Sequence, residues 1–172
     1  DSSGDDYVAW CFKAGGAPTV SNPYMVDGTG YATASAAGMG DDGDLDLKKA
    51  SVNTNLGFGI YNIDPSVSTG ETNSFTHGLG EAPELIITKN TGLTTPWWTF
   101  TNQVDGSWDY LKLNDTDAKT DDTYTSGAVA DATTIRVHRT FFSTSSDSII
   151  YAFASKTGVS KVGTYTGTGA SG

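Results

Sequence analysis

Acidic side chains that alternate along the sequence are the first candidates for chemistry in this chain. Asp42, Asp44 and Asp46 stand at every second position around Gly43, so an extended backbone would place their carboxylates on one side. Carboxylate oxygens are the ligands that Ca²⁺ prefers, which makes this segment a Ca²⁺ candidate. The run lacks the residue order and the distal glutamate of an EF-hand loop, which favours a solvated loop. We therefore predict no bound metal and no cofactor.

A second acidic group lies further along the chain and invites the same comparison. It consists of Asp115, Asp117, Asp121 and Asp122. Ca²⁺ binding and simple solvation are again the two interpretations, and solvation is favoured because no ligand order typical of a Ca²⁺ loop is present.

A histidine beside a glycine-rich turn is the next candidate for chemistry. His77 precedes Gly78 and Gly80, and Pro83 stands before the next apolar run. A catalytic base needs a nucleophile and an orienting acid, and the sequence contains no Gly-x-Ser-x-Gly elbow to supply them. We predict instead that His77 closes the turn and that Pro83 directs the chain into a strand. This argues against an enzyme.

Aromatic residues cluster in the middle of the sequence and could form a binding surface. The candidates for contact with a glycan or a partner are Trp97, Trp98, Trp108, Tyr110 and Asn102. Adjacent tryptophans on a strand point to opposite faces. Burial in the core or in a subunit interface is the favoured interpretation, and a sugar-binding platform with the Asn102 amide as hydroxyl partner is the alternative.

The overall charge excludes several classes of partner. The chain has 20 acidic and 10 basic residues, for a net charge of -10. Binding to phosphate backbones depends on lysine and arginine, so we predict no nucleic-acid partner. Anionic lipid surfaces would repel the chain, and no apolar run is long enough to span a bilayer. Cys11 is the single cysteine, so no internal disulfide forms, and we expect Cys11 to be a small, buried apolar side chain.

Short runs rich in aromatic and β-branched residues alternate with turn-forming residues, which predicts an all-β fold. The predicted strands are Tyr7–Lys13, Phe58–Ile63, Glu84–Lys89, Trp97–Thr101, Tyr110–Asn114, Thr133–Arg139, Ser148–Ser155 and Lys161–Thr166. The 21 glycines suit tight turns, and only Ala32–Ala37 hints at helix. We predict an antiparallel β-sandwich, jelly-roll-like, with long Gly-rich loops and little helix.

Two of the predicted strands also indicate how they are buried. Ile135 and Val137 alternate with polar residues, so we expect these two side chains to face the core. The run Leu85–Ile87 is apolar without interruption, as in a strand that is covered on both faces.

A weak internal repetition suggests how the chain is organised. Trp10 and Phe12 resemble Tyr151 and Phe153 as aromatics two residues apart on a strand, and a Gly-x-Tyr strand that includes Tyr165 follows the second pair. We predict that these residues form terminal strands that complete sheets within the chain or in a neighbouring copy.

The repetition divides the chain into three parts that form one compact domain. Residues 1–57 would be an N-terminal strand with a Gly/Asp-rich insertion, residues 58–156 the main sandwich unit, and residues 157–172 a strand that begins a second, incomplete repeat.

Four blocks of sequence resemble a repeat domain of large structural proteins from marine tailed phages, especially cyanophages. The blocks are Tyr7–Gly16, Asp27–Ala34, Ala50–Thr54 and His77–Lys89, in that order. The last block, with His-Gly-Leu-Gly-x-Ala-Pro, is the most specific. The chain departs from the family at Asp41–Asp46, where family members usually have a Gly/Thr-rich connection.

The resemblance implies a virion surface protein and carries over no catalytic residue or cofactor. Proteins of this type are usually tail fibres or appendages and often carry concanavalin- or laminin-G-like sandwiches. We therefore expect a non-enzymatic structural protein, either a tail-fibre segment or a capsid decoration, that assembles with itself and with other virion proteins. A lectin-like module that binds a host-surface glycan is the alternative.

Overall fold

Short strands make up nearly all of the regular structure in the computed structural model, which describes residues 9, 11–41, 45–65, 72–125 and 128–167. The described strands are β1 Tyr24–Val26, β2 Thr29–Tyr31, β3 Gly40–Asp41, β4 Asp46–Asn53, β5 Phe58–Asp64, β6 Thr72–Thr76, β7 Leu85–Asn90, β8 Trp98–Thr101, β9 Asp109–Lys112, β10 Thr120–Asp121, β11 Thr134–His138 and β12 Ser148–Phe153. Within the described residues, one 3₁₀ turn spans Ser35–Ala37. No described helix is long and apolar enough to cross a membrane.

The strands form two sheets of unequal size. The large sheet has nine strands in the order β10-β9-β8-β7-β12-β5-β4-β1-β2, and the small sheet has three in the order β11-β6-β3. Every neighbouring pair is antiparallel except β1 and β4. The predicted antiparallel β-sandwich is thereby confirmed, while the jelly-roll arrangement stays a prediction.

The core lies between the two sheets. The large sheet contributes Tyr61 and Ile150, and the small sheet contributes Phe75, all at most 1% exposed. The rings of Tyr61 and Phe75 lie 5.1 Å apart between their centroids. Ile135 and Val137 are buried in the same cluster, as their alternation with polar residues predicts.

Six of the predicted strands are present, and six of the described strands were not predicted. The missed strands of three residues or more are β1, β2, β4 and β6. In β4 the pairing with β5 shifts register between Leu47 and Lys49. This bulge interrupts the alternation on which strand prediction depends. In β6, Phe75 is the only large apolar side chain of five residues.

Three described strands that precede residue 57 belong to the large sheet. β1, β2 and β4 all precede residue 57, and they form one end of the large sheet through the pairing of β4 with β5. The sheet therefore extends across the boundary that the sequence repetition placed between residues 57 and 58.

Candidate functional site on the outer face of the large sheet

The large sheet carries apolar side chains on the face that points away from the small sheet. In β12, Ser148, Ile150 and Ala152 are buried, whereas Ile149, Tyr151 and Phe153 are only partly buried. Successive side chains of a strand point to opposite faces. The second set of three therefore lies on the surface that we call the outer face.

Strand pairing joins the outer-face residues into continuous rows. Tyr151 lies between Ile60 of β5 and Ile87 of β7. In the next row, Phe153 lies between Phe58 and Leu85. Cross-strand neighbours on one face contact each other directly. The result is an apolar surface that spans three adjacent strands at the centre of the large sheet.

An aromatic cluster and a cavity lie at one end of the outer face. The ring of Phe12 is 5.4 Å from that of Phe58 and 5.2 Å from that of Phe153, and the last two are 4.8 Å apart. Phe12 is nevertheless 58% exposed. Beside it lies a cavity of about 700 Å³, which is also lined by Leu85 and Val159. A large apolar ring thus remains open to solvent.

Lysines surround this apolar surface although the chain is strongly acidic. Lys13 and Lys161 line the 700 Å³ cavity, and Lys49 lines a second depression on the same face with Ile60. Lys89 lies beside Ile149 in the register of β7 and β12. Positive groups are therefore concentrated on the face whose centre is apolar.

The bulge of β4 adds a lysine held between two carboxylates. The Nζ atom of Lys48 lies 2.8 Å from an oxygen of Asp147 and 3.1 Å from an oxygen of Asp64. Hydrogen bonds to these two carboxylates raise the pKa of Lys48 above its usual range. The bulge thus links β4, β5 and the start of β12 at the rim of the sheet.

The residues predicted to form terminal strands occupy different parts of the fold, and their role in assembly stays a prediction. Phe12 and Tyr165 lie outside the described strands. Trp10 lies outside the described residues, and its neighbour Cys11, predicted to be buried, is exposed. Tyr151 and Phe153 are on β12, whose backbone is paired on both sides by β5 and β7. These two residues can contribute to assembly only through their side chains.

The aromatic residues near the middle of the sequence separate into core and surface groups. Trp98 and Tyr110 pack against each other with ring centroids 5.8 Å apart, and both rings contact Phe141. Trp108 is 7% exposed, whereas Trp97 is 37% exposed. Among the predicted platform tryptophans, Trp97 is thus the one that presents a large surface to solvent.

The amide of Asn102 is engaged next to this region. Its Oδ1 atom accepts a hydrogen bond of 2.7 Å from Nε2 of Gln103. Asn114, rather than Asn102, holds the exposed tryptophan, since its Oδ1 atom accepts a hydrogen bond from the Trp97 amide at 2.9 Å.

His77 is completely buried and holds two backbone segments together. Its Nδ1 atom accepts a hydrogen bond from the Leu79 amide at 3.1 Å, and Nε2 lies 3.1 Å from the Asp131 carbonyl oxygen. Nε2 must therefore carry the proton. Burial lowers the pKa of His77, against a smaller opposing effect of the Asp131 carbonyl. A neutral ring that already uses both nitrogens has no free base for catalysis.

The turn after His77 has the backbone geometry that glycine favours. Gly78 and Gly80 have φ values of 70° and 77°, a region that side chains disfavour. Pro83 is buried just before β7. The hydroxyl of Tyr61 donates a hydrogen bond of 2.7 Å to the His77 carbonyl, which attaches the turn to β5.

The first acidic group is only partly described. Asp42 and Asp44 lie outside the described residues, and Asp46 is exposed at the start of β4 opposite Asp64. In the second group, Asp115 and Asp117 both lie near the ammonium group of Lys112. Hydrogen bonding to these carboxylates, mainly Asp117, raises the pKa of Lys112.

Asp122 is buried and organises a turn. Its carboxylate accepts hydrogen bonds from the amides of Tyr124 and Thr125, both at 3.2 Å, and from the Thr125 hydroxyl. This carboxylate is occupied by neighbouring donors and has a structural function.

A different set of three carboxylates has the spacing of a metal site. Asp105, Asp109 and Asp121 each offer an oxygen, and these oxygens lie within 4.8 Å of one another. The Nζ atom of Lys119 lies between them, at 2.5, 2.8 and 3.0 Å from Asp105, Asp109 and Asp121. Hydrogen bonds from Lys119 and Ser107 hold the pKa of Asp105 well below its usual range.

The sequence contains a signal for the outer face that points only to its centre. The uninterrupted run Leu85–Ile87 predicts a strand covered on both faces, and in the structure Ile86 faces the core while Leu85 and Ile87 face outward. The sequence does not indicate that Phe12 contributes to the outer face, because Phe12 packs against the large sheet and is not part of a described strand.

Together, the fold and the outer face define a β-sandwich domain with a partly exposed apolar sheet face. The model of a family described as a domain of unknown function, DUF7483, matches residues 1–172. The chain therefore belongs to the DUF7483 family. Comparisons with curated proteins and with solved structures give no significant match.

Proposed function

We propose that this chain is a non-catalytic structural module that assembles by packing its outer face against the outer face of a second copy. The observation that carries this proposal is the apolar row formed by Ile60, Tyr151 and Ile87 across three central strands. Contiguous apolar surface that remains exposed on a folded domain is typical of interaction sites.

A second copy suits this surface because of its symmetry and its charges. A twofold interface places the same patch on both subunits, so apolar rows meet apolar rows. The chain has a net charge of -10, which opposes association through most of its surface. The outer face is the exception, since Lys49 and Lys161 border it.

The biological setting that we propose is a virion surface, as part of a tail fibre, an appendage or a capsid decoration. The support for this setting is the resemblance of four colinear sequence blocks to phage structural proteins. An apolar face for assembly and an acidic remainder that limits non-specific adhesion fit such a particle component. Labelling purified particles of a phage that encodes the chain with a specific antibody tests the location. Particles without label would contradict it.

The double variant Ile87→Thr/Tyr151→Thr tests the proposed interface. Threonine keeps strand propensity but removes most of the apolar area of both side chains. At about 1 kcal/mol for each of four side chains in a dimer, the dissociation constant should increase about 1000-fold. Sedimentation equilibrium of the full chain measures this change, and Val104→Thr, which alters an exposed apolar side chain in a loop, is the matched control.

Two results would contradict the proposed interface. A wild-type chain that stays monomeric at high micromolar concentration would contradict self-assembly through this face. An equal change in the double variant and in Val104→Thr would contradict the specific role of the outer face. Circular dichroism establishes that each variant keeps the β-sheet spectrum of the wild type.

Glycan binding is a second candidate because Trp97 exposes its ring. A glycan array probed with the wild type and with Trp97→Ala distinguishes this function from assembly. Binding that Trp97→Ala abolishes, in a chain that remains monomeric, would favour the lectin-like alternative.

A further inference from the structure

We propose that Asp105, Asp109 and Asp121 form a Ca²⁺ site in which the ion takes the position held by the ammonium group of Lys119. This site goes beyond the assembly function and uses other residues.

Three separate backbone segments bring the carboxylates together. Asp109 begins β9, Asp121 ends β10, and the two residues are opposite each other in the antiparallel pair. Asp105 lies in the turn before β9. Their oxygens lie within 4.8 Å of one another. Ca²⁺ binds oxygens at 2.3–2.6 Å, so two ligands of one ion are at most about 5 Å apart. The present separations therefore allow a common ion.

A buried oxygen without a partner provides an independent reason to expect a cation. The side chain of Asp109 is 0% exposed, and its Oδ2 atom finds no hydrogen-bond partner among the described residues. The other oxygen, Oδ1, contacts Lys119 Nζ at 2.8 Å, so the carboxylate end of the side chain faces the cluster. Buried carboxylate oxygens are normally paired with donors or metals. Ca²⁺ commonly binds aspartate through both oxygens.

The charges also favour a divalent ion over the lysine alone. The three carboxylates carry a formal charge of -3, of which the ammonium group of Lys119 offsets one unit and a Ca²⁺ ion in its place would offset two. Lys119 can move aside because its side chain is 31% exposed. Asp105 and Asp121 are 45% and 73% exposed, so water can complete the coordination shell.

The exposed cluster around Lys112 provides a matched control within the same chain. Its Nζ atom contacts Asp115 and Asp117 at 3.6 and 2.5 Å. The two clusters share a lysine surrounded by carboxylates, but Asp115 and Asp117 are 44% and 60% exposed. Ca²⁺ binding at a site that depends on the buried Asp109 should therefore weaken when carboxylates around Lys119 are replaced and stay the same when those around Lys112 are replaced.

Calorimetric titration of the full, chelator-treated chain with CaCl₂ tests the proposal. We expect one site in the wild type. Asp121→Asn, an exposed substitution that leaves the fold intact, should weaken binding at least tenfold, and Asp109→Asn should remove it. Asp117→Asn should leave the affinity unchanged. Lys119→Met should bind Ca²⁺ more tightly, because the competing ammonium group is gone.

Terbium luminescence gives a second measurement that reports position. Trp108 precedes Asp109 in the sequence, so excitation of tryptophan should sensitise Tb³⁺ bound at this cluster, and Ca²⁺ should displace it. A flat Ca²⁺ titration of folded wild type would overturn the proposal. So would equal weakening by Asp117→Asn and Asp121→Asn, or unchanged affinity in Lys119→Met.

Discussion

Replacing His77 by alanine tests whether the buried histidine holds the fold together. The substitution removes the acceptor of the Leu79 amide and the donor to the Asp131 carbonyl, both at 3.1 Å. Each group left without a partner in a buried site costs about 1–3 kcal/mol. Removal of the imidazole also leaves a cavity, because His77 is 0% exposed. We expect a loss of about 3–5 kcal/mol in the free energy of unfolding.

His138 provides a control with the same local hydrogen bond. Its Nδ1 atom accepts a hydrogen bond of 3.2 Å from the amide of Thr140, two residues later, as Nδ1 of His77 does from Leu79. Thr140 is exposed, so water replaces the lost acceptor. His138→Ala should therefore change the free energy of unfolding by no more than about 0.5 kcal/mol.

The lowered pKa of His77 also predicts how stability depends on pH. In the folded state His77 binds a proton less readily than in the unfolded state, where its pKa is near the ordinary 6.5. Its contribution is thus complete above that value and decreases as the pH falls towards the lower pKa of the folded state. Wild-type stability should therefore decrease from pH 7 to pH 5, and His77→Ala should lack this component.

Urea unfolding followed by tryptophan fluorescence, at pH 7 and pH 5, measures both effects. His77→Asn can still accept from the Leu79 amide and gives an intermediate result if the alanine variant does not fold. A loss in His77→Ala no larger than that in His138→Ala would refute the structural role. A pH dependence that is unchanged in His77→Ala would refute the assignment of the titrating group.

Substitutions at Gly15 and Asp131 test backbone packing and a carboxylate that organises a turn. A Cβ atom at Gly15 would lie 2.0 Å from the Val52 carbonyl oxygen, whereas one at Gly40 meets nothing within 4 Å. Gly15→Ala should therefore lower the free energy of unfolding by about 2 kcal/mol, and Gly40→Ala should leave it almost unchanged. Thermal melts measure both changes. The pKa of Asp131 is held far below its usual value, mainly by the Thr133 amide. The ionised Asp131 carboxylate therefore stabilises the folded state above its usual pKa, and this stabilisation is lost as the pH falls towards the lower pKa of the folded state. Asp131→Asn should lower the free energy of unfolding by about 1 kcal/mol at pH 7 and make this free energy depend less on pH in acid.

The fold could be predicted from the sequence where apolar alternation is strong. β11 and β12 follow from their Ile, Val and aromatic residues. β4 was not predicted because a bulge and two lysines interrupt the alternation of its apolar residues. The position of β12 between β5 and β7 could not be inferred, since it depends on contacts between residues far apart in the chain.

The candidate site could be predicted only in part for a related reason. Leu85 and Ile87 signal a strand with two covered faces, but nothing in their neighbourhood indicates that Phe12 lies on the same face. The carboxylates around Lys119 come from β9, from β10 and from the turn before β9. Their positions in the sequence instead suggest a group of Asp121 with Asp115 and Asp117. Local spacing could not replace the pairing of β9 with β10.

The central position of β12 imposes an order on folding. The large sheet consists of two halves, β7 to β10 and β1, β2, β4 and β5, and only β12 pairs with both. β12 is also the last of the described strands to leave the ribosome. Until residues 148–153 are synthesised, each half presents an open edge with unpaired backbone groups. Ribosome-bound nascent chains that stop before residue 148 should therefore expose two unpaired sheet edges and be prone to aggregation.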